Sequence, residues 1–358
     1  MRPFAIAGLQ LEVSGRRSNL AHITDRIEMV MHLYPWVQMV LVSELATFGG
    51  WTGHAMPLPS EVEDAYRRLA ARHEVWLVPG SLYEQTDAGI YNTAPVINPA
   101  GEVVARYRKM FPFLPYEAGV QSGTEFCVFD VPEIGRFGLS ICYDMWFPET
   151  SRTLAAMGAE VILHPTLTPT IDRDVELSIV RATAAMNQCF VVDINGVGDG
   201  GNGRSILCAP SGDVLYQAGS HEELLPIEID LDRVRRSREV GLKGLGQPLK
   251  SFRDRHVEFG VYQKDWRDGG YLDTLGSLEM MARGSRAGIA FGQNHPHADA
   301  SVPPPAEDPG VQAMGDTTRP PGTGKEATAL EPPVHADAAP SHGVGPAATP
   351  TPGGAVTP

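Results

Sequence analysis

The chain reads as a mixed α/β protein, a set of sheets sandwiched beneath helices, and three observations predict this. Apolar strand-like runs alternate with segments of helical periodicity through most of the first 240 of its 358 residues. Several runs, residues 37–42 and 160–163 among them, are apolar on nearly every residue, as in strands covered on both faces. Other strand pairs are joined by short Pro/Gly turns that suit hairpins, so helix-linked and hairpin-linked strands share one architecture.

In order, residues 4–11 form a strand, and residues 19–33 place Leu20, Ile23, Ile27, Val30 and Met31 at helical spacing. The strand at 37–42 ends in Ser43-Glu44 ahead of a loop rich in glycine (Gly49, Gly50, Gly53). A helix over 60–73 starts acidic (Glu61, Glu63, Asp64) and ends basic (Arg67, Arg68, Arg72), matching its dipole. A strand at 75–78 comes next. Residues 91–97 and 102–107 flank Asn98-Pro99-Ala100-Gly101 as a hairpin, and a loop with two prolines and a cluster of aromatics then embeds Lys109 and Glu117. The run 137–141 delivers Cys142 to a sharp break, and Pro148 opens a helix reaching about residue 158. A strand over 160–163 ends at His164-Pro165-Thr166. A helix over 174–187, a strand over 189–194, a hairpin of 205–209 with 213–216, a last core strand at 224–229 and a short helix at 232–238 complete the pattern.

Three regions result. Residues 1–240 form the main domain. Residues 241–284 form an arm carrying Phe252, Phe259, Tyr262, Trp266 and Tyr271, suited to covering the core or a neighbouring subunit. Residues 285–358 are expected to be a disordered tail, since 301–358 lack Phe, Trp and Tyr but hold thirteen of the thirty prolines.

The net charge of −14 argues against nucleic acid as a partner, because such modules carry a basic face. Four scattered cysteines without a CxxC pair fit reduced thiols and a cytoplasmic setting. The chain begins in a strand, with neither a signal-peptide pattern nor an apolar run of membrane-spanning length, so neither export nor membrane insertion is expected. No HExxH or Walker-type loop is present, and Gly198–Gly203 joins two strands, so no metal or cofactor is expected.

The chemistry centres on Cys142. A lone cysteine ending an apolar strand is ordinarily packing, but a strand-to-helix turn is where the next N–H groups favour a thiolate and the oxyanion it creates. A nucleophilic cysteine also needs a base. Glu44 is the first ionisable group after a buried strand, and Lys109 precedes an apolar loop; either alone reads as a surface charge. His54 and His164 are the histidines to weigh, the latter most simply a satisfied residue at a strand end.

Three separated pieces in fixed order then resemble the nitrilase superfamily, the carbon–nitrogen hydrolases. They are Ser43-Glu44, Tyr107-Arg108-Lys109, and Ile141-Cys142-Tyr143-Asp144 with Phe147-Pro148-Glu149, and the resemblance spans about residues 4–238. It implies a four-layer αββα sandwich whose protomers pair through the helices beside the cysteine turn, as a homodimer or larger even assembly. It implies that Cys142 attacks a carbonyl carbon, that Glu44 relays the proton, that Lys109 and the Tyr143 N–H hold the oxyanion, and that Glu117 positions the lysine and the substrate. Cys-Tyr-Asp with Phe-Pro-Glu resembles the amidase branches, which implies a small linear amide and water as reactants. Met186 stands before Asn187 where many members carry glutamate.

By position, Phe48, Trp51, Tyr116, Met145, Trp146 and Thr166 are expected to line the substrate pocket. Nitrile or N-carbamoyl hydrolysis, a catalytically silent scaffolding subunit and a peroxide-sensing thiol are the alternatives.

Overall fold

The computed structural model describes residues 3–263, with 272, 275, 278 and 280. The proposed tail, and Trp266 and Tyr271 of the arm, lie outside the described residues.

Two large sheets form the centre. In the first, the strands run in the order Glu223–Asp230, Pro3–Gln10, Met39–Val42, Trp76–Val78, Gly89–Ile97, Leu82–Thr86, with Val103–Arg108 and Val120–Gln121 also pairing to Gly89–Ile97. In the second the order is Val214–Gln217, Ile206–Cys208, Phe190–Asn195, Val161–Thr166, Gly135–Leu139, Cys127–Val131. The middle strands of each are parallel, with Ile6 opposite Met39 and Phe137 opposite Val161, and antiparallel strands close both flanks.

Side-chain alternation sorts these strands into layers. Phe4, Ile6, Met39 and Leu41 of the first sheet meet Phe129, Phe137, Leu139, Val161 and Leu163 of the second in the central core. Their neighbours Ala7, Leu9, Val40 and Val42 point the other way, onto Ile23, Ile27 and Val30 of the Leu20–Leu33 helix and Tyr66 and Leu69 of the Glu61–His73 helix. Ile162 and Val191 likewise face Leu154 of the Pro148–Ala156 helix and Leu177 and Val180 of the Arg173–Asn187 helix. The result is the expected four-layer αββα sandwich. Both faces of each central strand are covered, which is why these strands read as unbroken apolar runs.

Helix ends obey their local chemistry. The Ser60 hydroxyl accepts the Glu63 N–H at 3.2 Å to start one helix, and Pro148 occupies the first turn of another.

Two expectations need adjustment. The strand assigned to 160–163 runs as Val161–Thr166, through a proline. The Leu163 carbonyl accepts from Ser140 N on the Gly135–Leu139 side, so Pro165, two residues on, faces that side after the neighbouring strand has ended, and its missing N–H breaks no ladder. The hairpin strand Leu82–Thr86 has no counterpart in the sequence reading, because Leu-Tyr-Glu-Gln-Thr offers only weak alternation.

The described part of the arm packs on its own core. Leu249 N donates to Gln188 Oε1 at 3.4 Å, and the Arg152 guanidinium lies 5.3 Å from the Phe252 ring centroid.

Candidate active site

The parallel strands Met39–Val42, Gly135–Leu139 and Val161–Thr166 all end at one edge of the sandwich, where open α/β sheets expose their loops. Ser43-Glu44 extends the first, Ser140-Ile141-Cys142 the second and Leu167-Thr168 the third. Glu44 N donates to Thr166 O across the two sheets at 3.2 Å, tying these turns together.

Two of the turns bend through left-handed backbone at residues that are not glycine: Leu45 at φ 49° and Cys142 at φ 48°. At Cys142 this bend opens a short 3₁₀ turn, Cys142–Trp146, whose first N–H groups lack partners within the turn. Lys109 leaves the Val103–Arg108 strand with its N–H on Asn92 O at 2.9 Å and its carbonyl accepting Gly123 N at 2.8 Å.

Lys109 is buried, and its Nζ lies 2.9 Å from Glu44 Oε1 and 2.6 Å from Glu117 Oε2. Asn92 Nδ2 bridges the same carboxylates, 2.8 Å from Glu44 Oε1 and 3.3 Å from Glu117 Oε1. Glu117 also accepts the Phe113 N–H at 2.6 Å and the Tyr83 hydroxyl at 3.4 Å. Two carboxylates and one ammonium thus converge beside the Cys142 sulfur, on a cavity of about 340 Å³.

Burial pushes the Glu44 carboxyl up, against the pull of Lys109, while the charge of Glu117 adds to the rise. Glu117 is desolvated too, but Lys109 and its hydrogen-bond donors hold it below the usual carboxylate range. Lys109 loses solvation, yet Glu44, Cys142 and Glu117 keep its ammonium firmly protonated. For Cys142 the expectation of a favoured thiolate is overturned: burial, and then the Glu44 carboxylate, hold the thiol protonated. A protonated sulfur beside a carboxylate of raised pKa is a donor–base pair.

Asp144 joins the two halves of this arrangement. One oxygen accepts the Tyr107 hydroxyl at 2.7 Å and Ile141 N at 2.9 Å; the other accepts Met110 N at 3.1 Å and Phe111 N at 2.8 Å. The cysteine turn and the segment after Lys109 therefore hang on one carboxylate.

Of the residues expected to line the pocket, Tyr116 and Trp146 do, together with Tyr143 and Phe113. Phe48, Trp51, Met145 and Thr166 are absent from the described lining. Phe48 stacks on His54, and Trp51, 62% exposed, meets the same imidazole edge-on, so these aromatics form a cluster of their own while Gly50 of the same loop lines the cavity. Met145 points into the core beneath the Pro148–Ala156 and Arg173–Asn187 helices. Thr166 is buried at the end of the Val161–Thr166 strand. His164 is buried with Nδ1 2.8 Å from Ser140 Oγ, and burial pushes its pKa down to about 3, so it is a neutral structural group. The Gly198–Gly203 loop braces the rim: Asn202 N donates to Thr168 O and Asn202 Nδ2 to Thr170 O, each at 3.0 Å.

Asn92, Tyr83, Asp144 and Glu176 were not singled out by the sequence reading. The signal for Asn92 is a polar residue inside the buried half of a strand, and for Asp144 its place in the Cys-Tyr-Asp motif.

This constellation on an αββα frame defines a class of hydrolases acting on carbon–nitrogen bonds. The family model for carbon-nitrogen hydrolases matches residues 5–239, and the chain belongs to that family. It is 31% identical over 179 residues to the 2-oxoglutaramate amidase of Bacillus subtilis (strain 168), covering 48% of this chain and 69% of that one. Among solved structures it resembles Saccharomyces cerevisiae Nit3, of branch 10 of the nitrilase superfamily, with a TM-score of 0.62 and 26% identity, over 66% of this chain and 94% of that one. It also resembles a cysteine-to-alanine mutant of the amidase from Nesterenkonia sp. AN1 in complex with butyramide, with a TM-score of 0.57 and 25% identity, over 66% and 94% of the respective chains.

Proposed function

We propose that this chain hydrolyses small linear amides to a carboxylic acid and ammonia through a thioester on Cys142. The observation that carries the reading is the meeting of Glu44, Lys109 and Glu117 beside that sulfur on one cavity wall. The named amidases among the similar proteins favour an amide over a nitrile or a carbamoyl compound.

Cys142 Sγ attacks the carbonyl carbon as its proton passes to Glu44, and the carbonyl oxygen takes up negative charge against Lys109 Nζ and the Tyr143 N–H. Glu44 then gives the proton to the leaving nitrogen, the C–N bond breaks, ammonia departs and the acyl group stays on sulfur. Water adds to the thioester carbon while Glu44 accepts one of its protons; collapse expels the sulfur, which recovers that proton, and the acid is released. Glu117 positions Lys109 throughout.

Mass spectrometry of enzyme quenched during turnover tests this. An acyl adduct on the peptide bearing Cys142 is expected, and Cys142→Ala should lower kcat by about a thousandfold or more. Undiminished ammonia release from that variant would refute the mechanism. Parallel assays on nitriles and N-carbamoyl compounds separate the alternatives.

We further read the protein as a cytoplasmic homodimer or larger even assembly, paired through the Pro148–Ala156 and Arg173–Asn187 helices. Met157 and Met186, partly exposed at the ends of those helices, support that face. Sedimentation at equilibrium should give an even multiple of the chain mass. Among the described residues no helix is long and apolar enough to cross a membrane.

A further inference from the structure

We propose that the cavity selects amides whose acyl chain ends in a protonated amine, and turns away amides whose acyl chain ends in a carboxylate. The inference rests on the amidase reading above and names its substrate class. Among the described residues lining the cavity, the charged side chains are Glu44, Glu117, Asp172, Glu176 and Lys109. Lys109 is the sole cation of that wall, and two of its three N–H donors already point at Glu44 and Glu117, leaving one for the developing oxyanion. Among the described lining residues a carboxylate on the substrate would find no free cation.

Glu176 lines the same cavity. Its Oε1 accepts the Thr168 hydroxyl at 3.0 Å and Trp146 Nε1 at 3.4 Å, while Oε2 accepts Arg173 Nη1 at 3.2 Å. Arg173 is fully buried, and its guanidinium also binds Asp193 and the Arg204 carbonyl, so it cannot turn toward a ligand. One guanidinium between two carboxylates leaves this side of the wall negative, with Asp172 adding to it at the mouth.

The remaining wall suits a cation as well. Tyr116 stacks on Phe113 at 5.0 Å between centroids, Phe113 meets Tyr143 edge-on at 4.9 Å, and Tyr143 stands 6.0 Å from Trp146. Aromatic faces flanked by carboxylates attract an ammonium and repel an anion.

The test compares three unbranched five-carbon amides that differ only at the far end of the acyl chain: valeramide, its terminal-amino analogue and its terminal-carboxylate analogue. Ammonia release gives kcat/KM for each. The wild type is expected to prefer the amino compound over valeramide by about tenfold, and valeramide over the carboxylate by about tenfold or more. The amino-to-neutral ratio should fall as ionic strength rises from about 0.02 to about 0.5 M.

Glu176→Gln should collapse that ratio toward one, and Asp172→Asn, at a less buried position, should lower it about threefold. The ratio is the readout, since Glu176 also braces Thr168, and the Asp172 variant and the salt series serve if the first variant fails to fold. A flat or reversed order with valeramide still hydrolysed overturns this proposal alone. Absence of Cys142-dependent turnover on all three compounds brings down the amidase reading and this proposal with it.

Discussion

Asp144 shows how much a single carboxylate does here without touching a substrate. Its four partners are all donors, so the network requires the ionised form. Burial nevertheless pushes its pKa up to about 6, against the pull of the Tyr107 hydroxyl and the Ile141 N–H. As pH falls through about 6, an O–H enters a ring of donors and the link between the cysteine turn and the Lys109 segment weakens, so kcat should fall on the acid side. Stability moves the other way. A carboxyl that holds its proton more tightly when folded contributes stability below its unfolded pKa, near 4, and loses it as pH rises to about 6, on the order of 3 kcal/mol. Asp144→Asn should lower kcat about 10- to 100-fold and erase both the acid limb near pH 6 and this part of the slope of Tm with pH. A variant that keeps both trends would show that another group titrates.

At the scale of elements, the ends of strands decide the site, and their chemistry was only partly legible. That the buried run at 37–42 ends at Glu44, and that 137–141 delivers Cys142 to a turn opened by Pro148, could be read from apolar periodicity and a helix-starting proline. The left-handed bends at Leu45 and Cys142 could not, because neither position is the glycine or asparagine that marks such a conformation. Nor could Phe48 and Trp51 be told from pocket residues, since a Gly-rich loop leaves open which way its aromatics turn.

The bend at Glu44-Leu45 is held from the neighbouring strand end: Leu45 N donates to Ser81 Oγ at 3.1 Å, and Gly80, at φ +80°, lies so near that a Cβ there would sit 1.9 Å from the Ser43 carbonyl oxygen. Gly80→Ala should therefore cost about 2–4 kcal/mol in denaturant unfolding and reduce kcat with it. Gly119→Ala is the control. It shares a positive φ, +89°, but a Cβ there meets nothing within 4 Å, so about 1 kcal/mol is expected. Equal losses at both sites would mean that the Ser43 contact has no energetic weight.

Across the whole molecule, periodicity alone yields strands and helices but not which sheet a strand joins. A strand covered on both faces has no polar side to announce its orientation, so the αββα layering was legible only as what the resemblance of the motifs around Glu44, Lys109 and Cys142 to a known family implies. The closure of the fold sets a further expectation. Glu223–Asp230 pairs with Pro3–Gln10, the two ends of the core meeting in one sheet, and Val234 of the Asp232–Val240 helix then enters the central core. Among the described residues no core cluster reaches beyond Val234, and the Pro248–Arg253 helix adds the Leu249 hydrogen bond, a Lys250 Nζ hydrogen bond to the Glu239 carbonyl and the Arg152–Phe252 contact. A chain ending at residue 284 should keep the Tm of the full chain within about 2 °C and its kcat unchanged, because the central core closes well before that point. A chain ending at residue 240 should lose about 1–2 kcal/mol, as the Gln188 and Arg152 side chains lose their partners in the arm. Thermal melts of the three lengths, read beside ammonia release, check both expectations; a fall in Tm of several degrees on removing residues 285–358 would show that the stable unit extends into them.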